Sequence, residues 1–208
     1  YIDFDKSSPQ IQVQIATSFI SIEQARMNLE HEVPEWDFKQ LCNNTKKAWN
    51  DKLSKFHIKG NNKDDAPIFY TALYHCYLFP REFSEYGKYY SAFDDKIHDG
   101  FSYNDYSLWD TFRAFHPLMT LIEPELTGDW ITALLQMYKE GGWLPMWPNP
   151  SYTNIMIGTH ADAVIADAYM KGIRNYDIGL AYEALRKNAM VPPDCDTQRR
   201  YGDRDYWT

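Results

Sequence analysis

Trp109-Asp110-Thr111-Phe112-Arg113 places an indole next to a carboxylate at the predicted start of a helix. A pyranose ring has an apolar C–H face and a rim of hydroxyls, so an aromatic face beside an acceptor suits it. The same residues would serve equally as a buried indole and a carboxylate set against a helix dipole. A second cluster, Phe93-Asp94-Asp95-Lys96-Ile97-His98-Asp99-Gly100, gathers oxygen and imidazole donors around Asp94 and His98. It lacks the alternate-position oxygens and terminal Glu of an EF-hand loop, so it is a weak metal motif and reads readily as a solvated turn. A third, Gly158-Thr159-His160-Ala161-Asp162, sets His160 at a helix N-terminus, where free N–H groups favour anionic or hydroxyl ligands. Thr159 and Asp162 have the spacing of a capping box, which leaves His160 as the residue without a structural explanation. His31, His57, His75 and His116 read as surface or core histidines.

Other chemistries find no support. There is no GxSxG turn, no glycine-rich phosphate loop and no cysteine with an evident histidine partner. Glycosidases commonly use two carboxylates, and acidic residues are plentiful here, yet local spacing singles out no pair. Cys42, Cys76 and Cys195 form no CxxC pair, which argues against a cysteine-ligated zinc site or a disulfide scaffold.

These residues need elements to hold them. The chain has 208 residues, enough for one large or two small domains, with 29 acidic against 21 basic side chains and a net charge of −8. No basic block is present, so a nucleic-acid partner is not expected. No run approaches the ~18 apolar residues of a membrane span. The aromatic share of 16% suits both ordinary cores and sugar-binding surfaces.

Ile11, Val13 and Ile15 alternate with Gln12 and Gln14, which predicts a strand whose sheet partners lie elsewhere. Ser21 and Gln24 then open a short helix that runs to Pro34. Phe38, Leu41, Cys42, Thr45, Trp49, Leu53 and Phe56 follow helical spacing. Asp65 with Pro67 predicts the next helix, residues 106–122 a third kinked at Pro117, and residues 125–138 a fourth stopping at Gly141-Gly142. Thr159 and Asp177 cap two more, the last ending before Pro192-Pro193. Six helices in succession without intervening strands argue for an all-α toroid or bundle. The connections at 80–105 and 143–158 exceed the ~12 to 15 residues usual for plain loops, and their aromatic content argues against disorder. They are the expected site-bearing segments.

Several ordered stretches carry a family likeness: Ala16-Thr17-Ser18-Phe19-Ile20-Ser21 with Glu23-Gln24-Ala25-Arg26, then Phe69-Tyr70-Thr71-Ala72-Leu73-Tyr74-His75, Tyr106-Ser107-Leu108-Trp109-Asp110-Thr111-Phe112-Arg113, Gly141-Gly142-Trp143-Leu144-Pro145 and Gly158-Thr159-His160-Ala161-Asp162. Together they resemble glycoside hydrolase family 92, the calcium-dependent exo-acting α-mannosidases. The resemblance implies a mainly α fold: residues 1–34 as the end of an N-terminal β-sandwich with its linker helix, and 35–208 as the opening part of an (α/α)6 helical toroid. It implies inverting hydrolysis of terminal α-mannosides of glycans by a secreted, periplasmic or cell-surface enzyme. The general acid, the base and most calcium ligands are then expected beyond Thr208, so that the 208-residue piece is inactive alone and the rest of the same polypeptide completes the site.

What this chain would supply is the mannose-binding wall: Trp109 and Asp110 first, then His160, then Asp94 and His98. The family pattern has Glu before the Thr-Asn pair at 153–154, where this sequence has Tyr152, so the resemblance implies that Tyr152 shapes leaving-group specificity. Two other readings stay open on the residues alone: a noncatalytic helical carbohydrate-binding or scaffold module, and a helical-toroid glycosidase for another sugar.

Overall fold

The computed structural model describes residues 10–153 and 155–191, and the chain divides into two compact units, Tyr1–Ser54 and Lys55–Thr208. Asn154, Pro192, Pro193 and Cys195 lie outside the described residues. Helix predominates, as expected.

In the first unit, α1 (Ile22–Glu32) starts at Ser21, whose hydroxyl accepts the Gln24 N–H at 3.0 Å. Its buried face is polar: the Gln24 amide donates to Asn28 at 3.0 Å, and Asn28 donates to the Thr17 carbonyl at 3.0 Å. α2 (Phe38–Leu53) starts at Asp37, which caps the Gln40 N–H at 2.9 Å, and ends short of Phe56. None of its residues is buried, so the predicted apolar stripe stays at least partly open. The strand expected at Ile11, Val13 and Ile15, whose sheet partners are expected elsewhere, has no ladder partner among the described residues. Those residues are 45%, 67% and 81% exposed. Alternation marks a strand only where a neighbour takes up its N–H and C=O groups.

The second unit is organised around α6 (Pro124–Gly141). Pro124 suits the first helical position, where the missing N–H costs nothing, and Gly142 ends the helix in the left-handed region at φ 90°. Ile131, Ala133 and Leu134 are fully buried along it. Each large aliphatic side chain so placed stabilises the fold by about 1.5–3 kcal/mol. Against α6 pack α5 (Phe115–Ile122), α7 (His160–Met170) and α8 (Ile178–Met190). The predicted helix over 106–122 is in fact two, α4 (Leu108–Thr111) and α5, and the break falls at residues 112–114 rather than at Pro117. Pro117 is the third residue of α5, where its absent N–H has no helical partner to lose.

Two corrections concern caps. α3 (Asp65–Cys76) has Asp64, not Asp65, at its N-cap, and the Asp65 carboxylate instead accepts the Asn62 N–H at 3.0 Å. Thr159 makes no side-chain cap on α7. Asp177 does cap α8, accepting the Leu180 N–H at 2.9 Å.

The long connection at 80–105 holds strands that the sequence pattern did not announce. β1 (Arg81–Glu82) pairs antiparallel with β4 (Tyr103–Asn104), and between them β2 (Lys88–Ser91) pairs with β3 (Lys96–Asp99) in register Tyr89↔His98. Strands of two to four residues are too short to display a period.

Candidate functional site

Leu108, fully buried, anchors the single turn of α4. The next two residues therefore point outward: Trp109 is half-buried and Asp110 exposed. Arg113, one turn on, lies over the Trp109 ring at 4.5 Å and the Phe112 ring at 4.6 Å and donates to the Trp109 carbonyl. Phe112 stacks flat on His160, with centroids 4.2 Å apart and planes 4° from parallel. This stack brings two separately predicted residues, Trp109 and His160, to one end of the α4–α7 pair. Burial, reinforced by the Arg113 charge, pushes the His160 pKa down, so its imidazole is neutral at neutral pH. His160 Nε2 is buried without a hydrogen-bond partner in the protein. The approach is so close that a Cβ at Gly158 would lie 2.8 Å from that nitrogen. Asp162, expected in a capping box, accepts the Asn188 amide at 2.8 Å and so ties the start of α7 to α8.

Asp94 and His98 form a different cluster. His98 Nε2 lies 3.1 Å from both Asp94 oxygens and 4.0 Å from Glu140 Oε1. Glu140 comes from the last turn of α6 and accepts Tyr89 Oη at 2.5 Å and Ser91 Oγ at 2.6 Å. The Tyr89 ring stacks on His98 at 5.4 Å. Burial raises the Asp94 pKa, but hydrogen bonding and charge from His98, with Lys96 behind, outweigh it and leave the carboxyl below its usual range.

Asp94, His98 and Glu140 are the group among the described residues whose donor atoms converge closely enough for a metal, within 4.8 Å of one another. They do not fit calcium. That ion takes six to eight oxygens, whereas this set offers one nitrogen, a Glu whose two oxygens each accept a hydroxyl, and an Asp that chelates the imidazole.

Tyr152 sits inside the second long loop. Its hydroxyl accepts the Trp143 N–H at 3.1 Å and donates to the Trp143 carbonyl at 2.5 Å, and its ring meets Phe93 edge-on at 4.7 Å. Asn104 joins the two loops by donating to the Pro150 carbonyl at 2.7 Å. The structure thus links His160, through Phe112, to the helix turn that carries Trp109 and Asp110, groups Asp94 with His98 and Glu140, and puts the Tyr152 hydroxyl on loop backbone. Sequence reasoning misses Glu140, Phe112 and Arg113 as individual site residues. Glu140 carries no local signal, since its role depends on a hairpin distant in sequence. Phe112 and Arg113 lie within the Trp109–Arg113 motif, and their helical spacing to Trp109 is the available clue.

Comparison with known proteins places these residues in a family context. A model of the glycosyl hydrolase family 92 catalytic domain matches residues 24–208. An uncharacterized secreted glycosidase of Arthroderma benhamiae is 30% identical over 97% of the chain, and the chain spans 24% of that relative's length. Among solved structures, a family GH92 inverting mannosidase of Bacteroides thetaiotaomicron aligns at TM-score 0.77 and 39% identity, covering 80% of this chain and 23% of its own. A family GH92 α-mannosidase of the same organism, in complex with mannoimidazole, aligns at TM-score 0.80 and 32% identity, covering 86% and 24%. No helix among the described residues is long and apolar enough to cross a membrane.

Proposed function

The chain belongs to glycosyl hydrolase family 92, a family of glycosidases, and from that footing we propose that it forms the terminal-mannose wall of an extracytoplasmic, inverting exo-α-mannosidase acting on glycans. In this reading its helices are an arc of an (α/α)6 toroid, residues 1–34 join it to a β-sandwich, and the general acid, base and calcium come from other parts of the protein. The observation that carries the reading is the flat Phe112–His160 stack, which sets an unpartnered imidazole nitrogen beside the turn that carries Trp109 and Asp110.

Each group has a part to play. A neutral imidazole accepts a hydrogen bond from a sugar hydroxyl, the Asp110 carboxylate accepts others, and the indole covers the C–H face of the ring. A buried acceptor left open costs free energy that a bound hydroxyl recovers, so the site is built for a ligand rich in O–H donors. Solved relatives that are mannosidases, one holding mannoimidazole, support mannose over other sugars. The secreted glycosidase relative supports an extracytoplasmic location.

The test uses the full-length protein with an aryl α-mannoside, following the anomer released by proton NMR. Release of β-mannose first, with aryl α-glucoside and β-glucuronide left intact, is the expected result. Retention of configuration would overturn the inverting mechanism, and preference for another sugar would overturn the mannosidase reading. Mannose binding without any turnover would favour a noncatalytic binding module instead.

A further inference from the structure

We infer that the cleft lined by Phe79, Arg81, Asp105, Ser107, Trp147 and Asn149 receives the second sugar ring of an oligosaccharide whose terminal ring lies at Trp109 and Asp110. The inference rests on the mannosidase reading above and names the part of the substrate that this chain reads beyond the terminal sugar.

The cleft holds about 350 Å³, at the small end of ligand sites, where single rings rather than extended chains are accommodated. Its polar wall is built by strand register. Pairing of β1 with β4 sets Arg81 opposite Asn104, so the guanidinium meets the next carboxylate, Asp105, at 2.6 Å. The two heads are unequally placed: the Asp105 side chain is 9% exposed and that of Arg81 is 55% exposed. The acid is thus turned inward and the fork outward, with more N–H groups than one carboxylate uses.

Asp105 sits at φ 64°, a left-handed conformation that a non-glycine residue adopts at a cost. Asn104 Oδ1 holds it there by accepting the Asp105 N–H at 2.7 Å. Residues kept in such conformations cluster at binding sites, because the surroundings must over-determine them.

The apolar wall comes from Phe79 and Trp147. Asn104 draws in the second loop through Pro150, and Thr153 fixes the Trp147 carbonyl at 2.5 Å, so the indole is carried on a braced segment. Ser107 is the N-cap of α4 but makes no side-chain cap bond, which leaves its hydroxyl for a ligand. It stands two residues before Trp109, so the cleft adjoins the terminal-sugar wall on the same element. Charge decides between ligand classes. The Arg81 cation is neutralised by the inward-facing Asp105, so the cleft suits a neutral polyhydroxyl ring rather than an anion.

The experiment compares two substrates of the full-length protein: α-mannosyl fluoride, whose leaving group has no ring, and α-linked mannobioses. Trp147→Ala and the double variant Arg81→Gln/Asp105→Asn should lower kcat/KM on the mannobiose by about tenfold or more, as expected for lost polar and ring contacts. On the fluoride they should change it by less than about twofold, which also reports that the variants are folded. Trp147→Phe should restore part of the mannobiose rate. Equal losses on both substrates, or no loss on either, would overturn the cleft as a second-ring site while wild-type turnover of the fluoride leaves the mannosidase reading standing. A wild-type protein that hydrolyses neither substrate removes the mannosidase reading and the cleft with it.

Discussion

The end of the α4–α7 pair and the β2–β3 hairpin use similar materials, with aromatic rings, a histidine and carboxylates, but they dispose of their polar atoms in opposite ways. At the hairpin, Asp94 holds His98 and Glu140 holds Tyr89 and Ser91, so hydrogen-bonding capacity is spent within the cluster. At the α4–α7 end, Asp110 faces solvent and His160 Nε2 is buried without a protein partner. The first arrangement braces its own members; the second, on the proposed reading, keeps groups available to a ligand.

Substitution should pull this contrast apart. Asp110→Ala in the full-length protein should lower kcat/KM on an aryl α-mannoside by on the order of 30- to 1,000-fold, about 2–4 kcal/mol of transition-state binding, with the melting temperature unchanged. An unaltered kcat/KM would remove Asp110 from the site. Glu140→Ala should do the reverse. It leaves the Tyr89 and Ser91 hydroxyls without their acceptor, at about 2–3 kcal/mol of stability, and Tm should fall by roughly 4–12 °C with kcat/KM of the folded protein retained. A rate loss on Glu140→Ala without a stability loss would dissolve the contrast.

Acid should separate the hairpin from the core beneath it. His116 is 2% exposed, and burial pushes its pKa down to about 4. The unfolded chain binds a proton near pH 6.5 that the folded chain refuses, so stability falls as pH drops from 6.5 towards 4, by about 2 kcal/mol between pH 7 and 5. Thermal melts across that range should show the decline, and His116→Gln should flatten it. Asp94 has the opposite origin: its folded pKa is lowered by His98 and Lys96. Its contribution persists above the unfolded carboxylate value and is lost only as pH falls below about 4. The smallest effect is expected at Tyr152. Tyr152→Phe removes the hydroxyl shared with the Trp143 backbone, at about 1 kcal/mol of stability, and should change the rates on different mannosides by one common factor. A change confined to one linkage would make Tyr152 a specificity residue instead.

Features that arise from neighbours along the chain were legible in the sequence. Ser21 and Asp177 cap the helices they precede, and Gly142 closes α6 in the left-handed region, because each acts within one turn. The placement of Trp109, Asp110 and His160 at helix starts was likewise legible, whereas their proposed part in sugar binding awaits the substitutions above. What could not be read depends on partners far away. Ile11, Val13 and Ile15 alternate like a strand but meet no ladder among the described residues. Glu140 looks like any carboxylate in a last helical turn until the hairpin arrives. Pro117 looked like a kink until the break at residues 112–114 moved it into a first turn, where proline is harmless. That Phe112 and His160 lie flat against each other follows from how α4 and α7 pack, which no local pattern encodes.

The guanidinium of Arg113 has a geometric corollary for Trp109. Because it already blankets one side of the indole, only the opposite side can receive a sugar. On the proposed reading, the indole is therefore a one-way platform, open to a sugar from a single direction of arrival.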